Sequence, residues 1–281
     1  MSNVKKAIQI AYDNLFEKKC EYASAAGFEY ISVNFAEVLD KTEYEWESIT
    51  EDIGQILDKH NLKCIQSHPY YYDLRVSSEI REERFEFSMK QAIIASGKLG
   101  AKWCVFHPRS SVSSGFCTSK ALEDNKLAFS EYLELAIKHG TGIAAENLPV
   151  FHEIIPVMPF YSSNFEDLCT LVDSFNDDKM AVCWDTGHAN LMHFDQADAI
   201  KFVGNRIKCT HIHNNFKGSD DHLPPDSGYI EWNKVIPALC STGFDGALTL
   251  ETHCRYDNFD LLKSFAKHNY ACLEFLEKYS D

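Results

Sequence analysis

The sequence predicts an α/β fold, a single (β/α)8 barrel. Eight short, apolar, strand-forming runs alternate with longer stretches in which apolar residues recur every three to four positions. Glycines stand where most of these stretches should end, and no Pro/Ser linker, charge run or low-complexity segment divides the chain. One domain spanning residues 1–281 is therefore expected. A doubly wound sheet, the other parallel architecture, would rarely need eight strands of this regularity.

In order, the run Ala7–Ala11 precedes an amphipathic helix over Phe16–Ala26 that stops at Gly27. Tyr30–Asn34 leads to Glu45–His60, and Lys63–Ser67 to Glu79–Leu99 with Gly100 as its stop. Trp103–His107 leads to Lys120–His139 and Gly140, and Gly142–Glu146 to Asn164–Phe175. Met180–Asp185 and Ile207–His213 follow, the second preceded by Gly204. Gly243 introduces the last run, Ala247–Glu251, and Asp260–Tyr279 ends the pattern. Eight such units in 281 residues suit a TIM barrel, whose usual size is about 250 residues.

Composition narrows the function classes. With 42 acidic against 27 basic side chains the formal net charge is −15, which repels phosphate backbones and anionic lipid surfaces. Nucleic acid is accordingly an unlikely partner. No apolar run approaches the roughly 20 residues needed to span a bilayer, and the segment from Met1 to Lys6 lacks a secretory apolar stretch, so a cytoplasmic protein with no membrane partner is expected. The 10 cysteines are scattered through apolar segments without a CxxC pair, as buried reduced thiols would be.

Six of the eight strands finish on or near a side chain able to bind a metal: His68, His107, Glu146, Asp185, His211 and Glu251. Their separations are 39, 39, 39, 26 and 40 residues. That is one β/α unit per step, with a shorter sixth, and it places the six at equivalent positions around the rim where barrel strands converge. Singly, each is a plausible loop hydrogen-bonder or helix cap. Jointly, burying this many ionisable groups on adjacent strands without a cation would be costly. A divalent metal is expected at Glu146, Asp185, His211 and Glu251; for His68 and His107 ligation and a structural role are balanced.

Further polar residues gather around them. Asp185-Thr186-Gly187-His188 puts an imidazole three residues past a carboxylate, and His211-Ile212-His213 has the period that puts both imidazoles on one face of a strand. Asp220 and His222 follow in a polar loop. Lys217 and Arg255 are candidates for holding an anionic or hydroxylated substrate, against plain solvated charge. Phe106, Trp184 and Tyr70–Tyr72 could wall a pocket, although core packing is the commoner fate of such residues. His60, His139, His152, His193 and His268 fall outside the ring and read as bystanders.

At these residues the sequence resembles the xylose isomerase-like barrel superfamily, in particular its sugar phosphate isomerase/epimerase branch, to which endonuclease IV-like enzymes are related. The likeness is carried by Ala145-Glu146-Asn147, Trp184-Asp185-Thr186-Gly187-His188, the segment His211-Ile212-His213-Asn214-Asn215 with Asp220-Asp221-His222-Leu223-Pro224-Pro225 and Gly228, and Leu250-Glu251. It spans essentially the whole chain; the pieces are specific together and weak singly. The resemblance implies one divalent metal (Mn, Mg, Co or Zn) held by Glu146, Asp185, His211 and Glu251, with His188 binding substrate. In the endonuclease IV branch three zinc ions recruit further ligands, which match His68, His107, His188, Asp220 and His222.

The expected activity is metal-dependent isomerisation or epimerisation of a sugar or sugar phosphate. Glu146 and Glu251 would remove and return a proton through an enediolate, with the substrate carbonyl and adjacent hydroxyl chelated to the metal. His188 would orient a substrate oxygen, and His68, His107 and His222 further hydroxyls. The alternatives are zinc-dependent phosphodiester hydrolysis at abasic sites, dehydration of a keto-inositol by the same metal and a general acid, and a silent sugar-binding barrel. The segment from His211 to Pro225 resembles the isomerase form, and no Arg/Lys-rich insertion suits a DNA backbone. A small carbohydrate is the expected partner, and association into a homo-oligomer is open.

Overall fold

A computed structural model describes residues 4–70, 79–109, 118–149, 161–192 and 194–280. The strands are β1 (Lys5–Ala11), β2 (Tyr30–Asn34), β3 (Lys63–His68), β4 (Trp103–Phe106), β5 (Gly142–Glu146), β6 (Met180–Asp185), β7 (Ile207–His211) and β8 (Ala247–Leu250). All pair in parallel, in the order β7-β6-β5-β4-β3-β2-β1-β8. The circle is completed just past β7, where Ile212 bridges to Leu250. There the Ile212 amide donates to the Thr249 carbonyl at 2.7 Å and the Glu251 amide to the Ile212 carbonyl at 3.1 Å. Eight parallel strands with helices between them form a nearly closed (β/α)8 barrel, as the alternation predicts.

The helices are α1 (Phe16–Ala26), α2 (Glu43–Lys59), α3 (Glu79–Lys98), α4 (Thr118–His139), α5 (Phe165–Asp173), α6 (Thr186–Asn190), α7 (Gln196–Val203), α8 (Trp232–Ser241) and α9 (Phe259–Glu277). Helix α2 starts two residues earlier than its periodicity suggests. Thr42 caps it, accepting from the Glu45 amide at 3.3 Å while the Glu45 carboxylate accepts from the Thr42 amide at 2.8 Å. Gly27, Gly100, Gly140, Gly204 and Gly243 all have φ between 64° and 114°, the backbone that stops a helix and that glycine adopts without penalty. Helices α6, α7 and α8 go beyond the expected set. The first two are short, and α8 carries Pro237 in its interior; burial of Trp232, Val235, Ile236 and Leu239 against the barrel offsets the lost backbone bond.

Alternation along each strand builds two cores. Outward residues such as Phe106, Ile143, Ala145, Val182 and Trp184 pack under the helices. Inward residues Trp103, Val105, Ala144, Ala181, Cys183 and Cys209 fill the barrel interior. A polar crossing joins its two sides, the Thr249 hydroxyl donating to Gln66 Oε1 at 2.9 Å. The nine described cysteines are free thiols and seven are buried. Among the described residues no helix is long and apolar enough to cross a membrane.

Candidate metal centre

On six of the eight strands the inward series ends, at or just past the mouth of the barrel, in a ligand-type side chain. Ala144 is followed by Glu146, Cys183 by Asp185, Cys209 by His211 and Val105 by His107. His211 Nδ1 lies 3.1 Å from Glu146 Oε1, 3.1 Å from Glu251 Oε2 and 3.8 Å from Asp185 Oδ2. All four residues are buried, Glu251 the most exposed at 8%.

Two more groups adjoin this one. His68 Nε2, His107 Nε2 and Glu146 Oε2 form a triangle with edges of 3.3, 3.2 and 3.4 Å. On the other side, Asp220 Oδ2 is 3.1 Å from His188 Nε2 and 3.1 Å from His222 Nε2, while His213 Nε2 is 3.0 Å from Asp185 Oδ2. Three of the imidazoles meet backbone carbonyls through Nδ1: His68 that of Pro69 at 2.7 Å, His188 that of Asn147 at 2.9 Å and His222 that of Glu251 at 2.9 Å. Donation there fixes the Nδ1 proton and aims Nε2 at the carboxylates, the arrangement that orients metal-binding histidines, whose Nε2 gives up its proton to a cation.

Local chain geometry sets these positions. Asp185 ends β6 and caps α6, its Oδ1 accepting from the His188 amide at 2.6 Å, which leaves Oδ2 to face His211 and His213. Gly187 is required by close approach: a Cβ there would lie 1.9 Å from His213 Cε1. The loop bearing Asp220 and His222 is held by paired backbone bonds between Asn214 and Leu223, at 2.8 and 2.9 Å.

Burial by itself would raise the carboxyls and lower the imidazoles, and mutual charge reverses both trends. His211 and His107 hold Glu146 well below the usual carboxylate range, and His211 and His222 hold Glu251 at about 2. In return Glu251 and Glu146 lift His211 to about 10, Asp220 and Glu251 lift His222 to about 9, and Asp185 and Asp220 raise His188 well above its ordinary value. At His107 burial wins and the imidazole is lowered.

These residues fit a divalent cation. The single proton that His211 Nδ1 can carry cannot satisfy three carboxylates, and among the described residues Glu146 Oε2 and Glu251 Oε2 are buried with imidazole nitrogens 3.1–3.4 Å away but no well-aligned hydrogen bond. In a tetrahedral site with nitrogen and oxygen ligands, donor atoms stand roughly 3.3 Å apart. The spacings of 3.1, 3.1 and 3.8 Å around His211 bracket that requirement, and those of 3.2–3.4 Å in the His68–His107–Glu146 triangle match it.

The structure thus brings together Glu146, Asp185, His211, Glu251, His68, His107, His188, Asp220 and His222. Lys217 and Arg255 are exposed on loops, and among the described residues no hydrogen bond or ion pair ties either side chain to the cluster. Phe106 and Trp184 do not wall the mouth, because each precedes an inward ligand by one residue and so points outward into the helical layer. Phe106 stacks on Tyr132 at 4.8 Å, and Trp184 is fully buried. Tyr70 packs 5.1 Å from Phe85, and Tyr71, Tyr72, His152 and His193 lie outside the described residues. His253, which strand-end spacing does not single out, stacks its ring on His222 at 4.4 Å, and His213 stacks on His222 at 4.1 Å. Its spacing of two from Glu251 was the available signal.

An eight-stranded parallel barrel with carboxylates and imidazoles gathered at the C-terminal ends of its strands defines the class of (β/α)8 barrels with a polar candidate site at the strand ends. Residues 20–271 match the family model described as xylose isomerase-like TIM barrel, and the chain belongs to that family. An uncharacterized protein of Methanocaldococcus jannaschii, MJ1311, is 25% identical over 221 residues, 76% of this chain and 72% of that one. Among solved structures, D-psicose 3-epimerase with D-tagatose from Clostridium cellulolyticum H10 superposes with a TM-score of 0.75 at 13% identity, covering 99% of both chains. The IOLI protein with a bound zinc atom gives 0.75 at 17% identity, covering 98% of both.

Proposed function

We propose that this protein is a divalent-metal-dependent sugar or sugar phosphate isomerase or epimerase. The observation that carries the reading is the meeting of two glutamates from different strands, Glu146 and Glu251, at one imidazole, each 3.1 Å from His211 Nδ1. Glu146, Asp185, His211 and Glu251 would hold the cation. When bound, it would supply Lewis-acid polarisation of a substrate carbonyl and its neighbouring hydroxyl.

One glutamate takes the proton from the carbon beside the carbonyl. After an enediolate in which the C–H electrons reside on oxygen, the other glutamate, starting protonated, delivers its own proton to the opposite face for epimerisation; for isomerisation the first glutamate returns its proton to the neighbouring carbon while the hydroxyl proton passes to the former carbonyl oxygen. His188, fixed by Asn147 and Asp220, is placed to hold a substrate oxygen, and His68, His107 and His222 to hold further hydroxyls. Lys217 and Arg255 would hold an anionic or hydroxylated part of the substrate that extends beyond the cluster. The resemblance of the fold to sugar epimerases supports a small carbohydrate as the partner.

A second reading, hydrolysis of a phosphodiester by a multi-zinc centre, is favoured by the two additional donor groups, His68–His107–Glu146 and His188–His213–Asp220–His222. The net charge of −15 weighs against a polyanionic substrate. Metal analysis of the purified protein, followed by a ketose, sugar phosphate and inosose panel in deuterated solvent, separates the two. About one metal at the barrel mouth with C–H exchange supports the isomerase; about three with no exchange and cleavage of an abasic-site duplex overturns it.

A further inference from the structure

Away from the barrel mouth, three ligand-type side chains converge on the outer surface. His268 and Cys272 are one turn apart on α9, so they share a face of that helix. Asp226 reaches them from the loop between β7 and α8. His268 Nε2 is 3.1 Å from Asp226 Oδ1, Cys272 Sγ is 3.6 Å from the same oxygen, and the sulfur is 3.7 Å from His268 Nε2. Cys272 is buried, whereas His268 and Asp226 are about half exposed.

Two arrangements of these residue types have chemical meaning, and the geometry separates them. In a nucleophilic relay the imidazole faces the thiol with one ring nitrogen and the carboxylate with the other. Here one nitrogen, Nε2, faces both. The donors therefore converge on a point instead of standing in series. A tetrahedral cation bound by imidazole, carboxylate and thiolate requires edges of roughly 3.3 Å between nitrogen and oxygen and roughly 3.5 Å from sulfur to either. The observed 3.1, 3.6 and 3.7 Å approach that triangle. Burial and the Asp226 carboxylate push the thiol up to about 11, so without a cation it keeps its proton and is a poor nucleophile.

We propose that Asp226, His268 and Cys272 form a peripheral site for one zinc-class divalent cation, with water at the fourth, solvent-facing position. The sulfur ligand selects zinc or cobalt over magnesium or manganese. Binding forms a metal–thiolate bond and releases the thiol proton to solvent. Its consequence is mechanical. Pro225, next to Asp226, is anchored by the Asn214 side chain at 3.0 Å and the Trp232 indole at 2.7 Å, and the same loop carries Asp220 and His222. A cation at Asp226 would fasten that loop to α9.

Cobalt titration of the full chain under reducing conditions tests this, because none of the barrel-mouth ligands is a cysteine. The expected result is a thiolate-to-cobalt charge-transfer band in the native protein. Cys272→Ser should lose the band and one bound cobalt per chain while keeping the cobalt at the barrel mouth. His268→Ala, at an exposed position that folding tolerates, should weaken cobalt binding and the band together. Absence of the band at saturating cobalt, its survival in Cys272→Ser, or an unchanged band and cobalt count in His268→Ala would each overturn the assignment.

Discussion

Replacing Glu251 by Gln keeps the shape of the side chain and removes one buried negative charge. In the metal-free protein the Glu251 carboxyl is lowered from 4.5 to about 2 despite its burial, through His211 and His222. A depressed carboxyl contributes stability that is present above its unfolded value and lost as pH falls through its folded one. At neutral pH the full contribution is therefore at stake, about 3 kcal/mol at 1.36 kcal/mol per pKa unit. Because Glu146 still faces His211, we expect Glu251→Gln to lower metal-free stability by about 2–3 kcal/mol in urea unfolding. With metal added to saturation, loss of an acid–base group should slow exchange of the substrate C–H with deuterated solvent by at least ~100-fold. Exchange at the native rate in a variant that still binds its metal would remove Glu251 from proton transfer. An unchanged metal-free stability would refute the electrostatic argument for the pair.

The same charges predict opposite responses to pH in the two metal states. His211 is raised from 6.5 to about 10, so the stability it contributes to the metal-free protein is complete below about pH 6.5 and disappears as pH rises through about 10. Metal competes with that proton. Loading should therefore release protons between these values and tighten with rising pH, which calorimetry in buffers of differing ionisation enthalpy measures; loading without proton release at pH 8 would contradict the pairing. Gly187→Ala should displace His213, since the added Cβ falls 1.9 Å from its ring, costing on the order of 1–3 kcal/mol and weakening metal binding at Asp185. Native stability and metal affinity in that variant would exclude the close approach.

The mouth of the barrel was legible because strand alternation and a repeat of one β/α unit project similar side chains to similar places. Glu146, Asp185, His211 and Glu251 could be grouped from spacing without knowledge of any contact. The same alternation, applied one residue back, assigns Phe106 and Trp184 to the helical layer and not to the pocket. Helix α8 was harder, because Pro237 argues locally against the helix that packing enforces.

What the chain itself determined is the set of units and the end of each strand at which chemistry gathers, since both follow from backbone periodicity. Tertiary structure alone decided which atoms meet. The tautomers of His68, His188 and His222 depend on backbone carbonyls supplied by Pro69, Asn147 and Glu251. His268, a bystander in the sequence, meets Asp226 across 42 residues and Cys272 across one helical turn. Period and propensity are local properties, whereas the convergence of a loop on a helix is set by how the whole barrel packs.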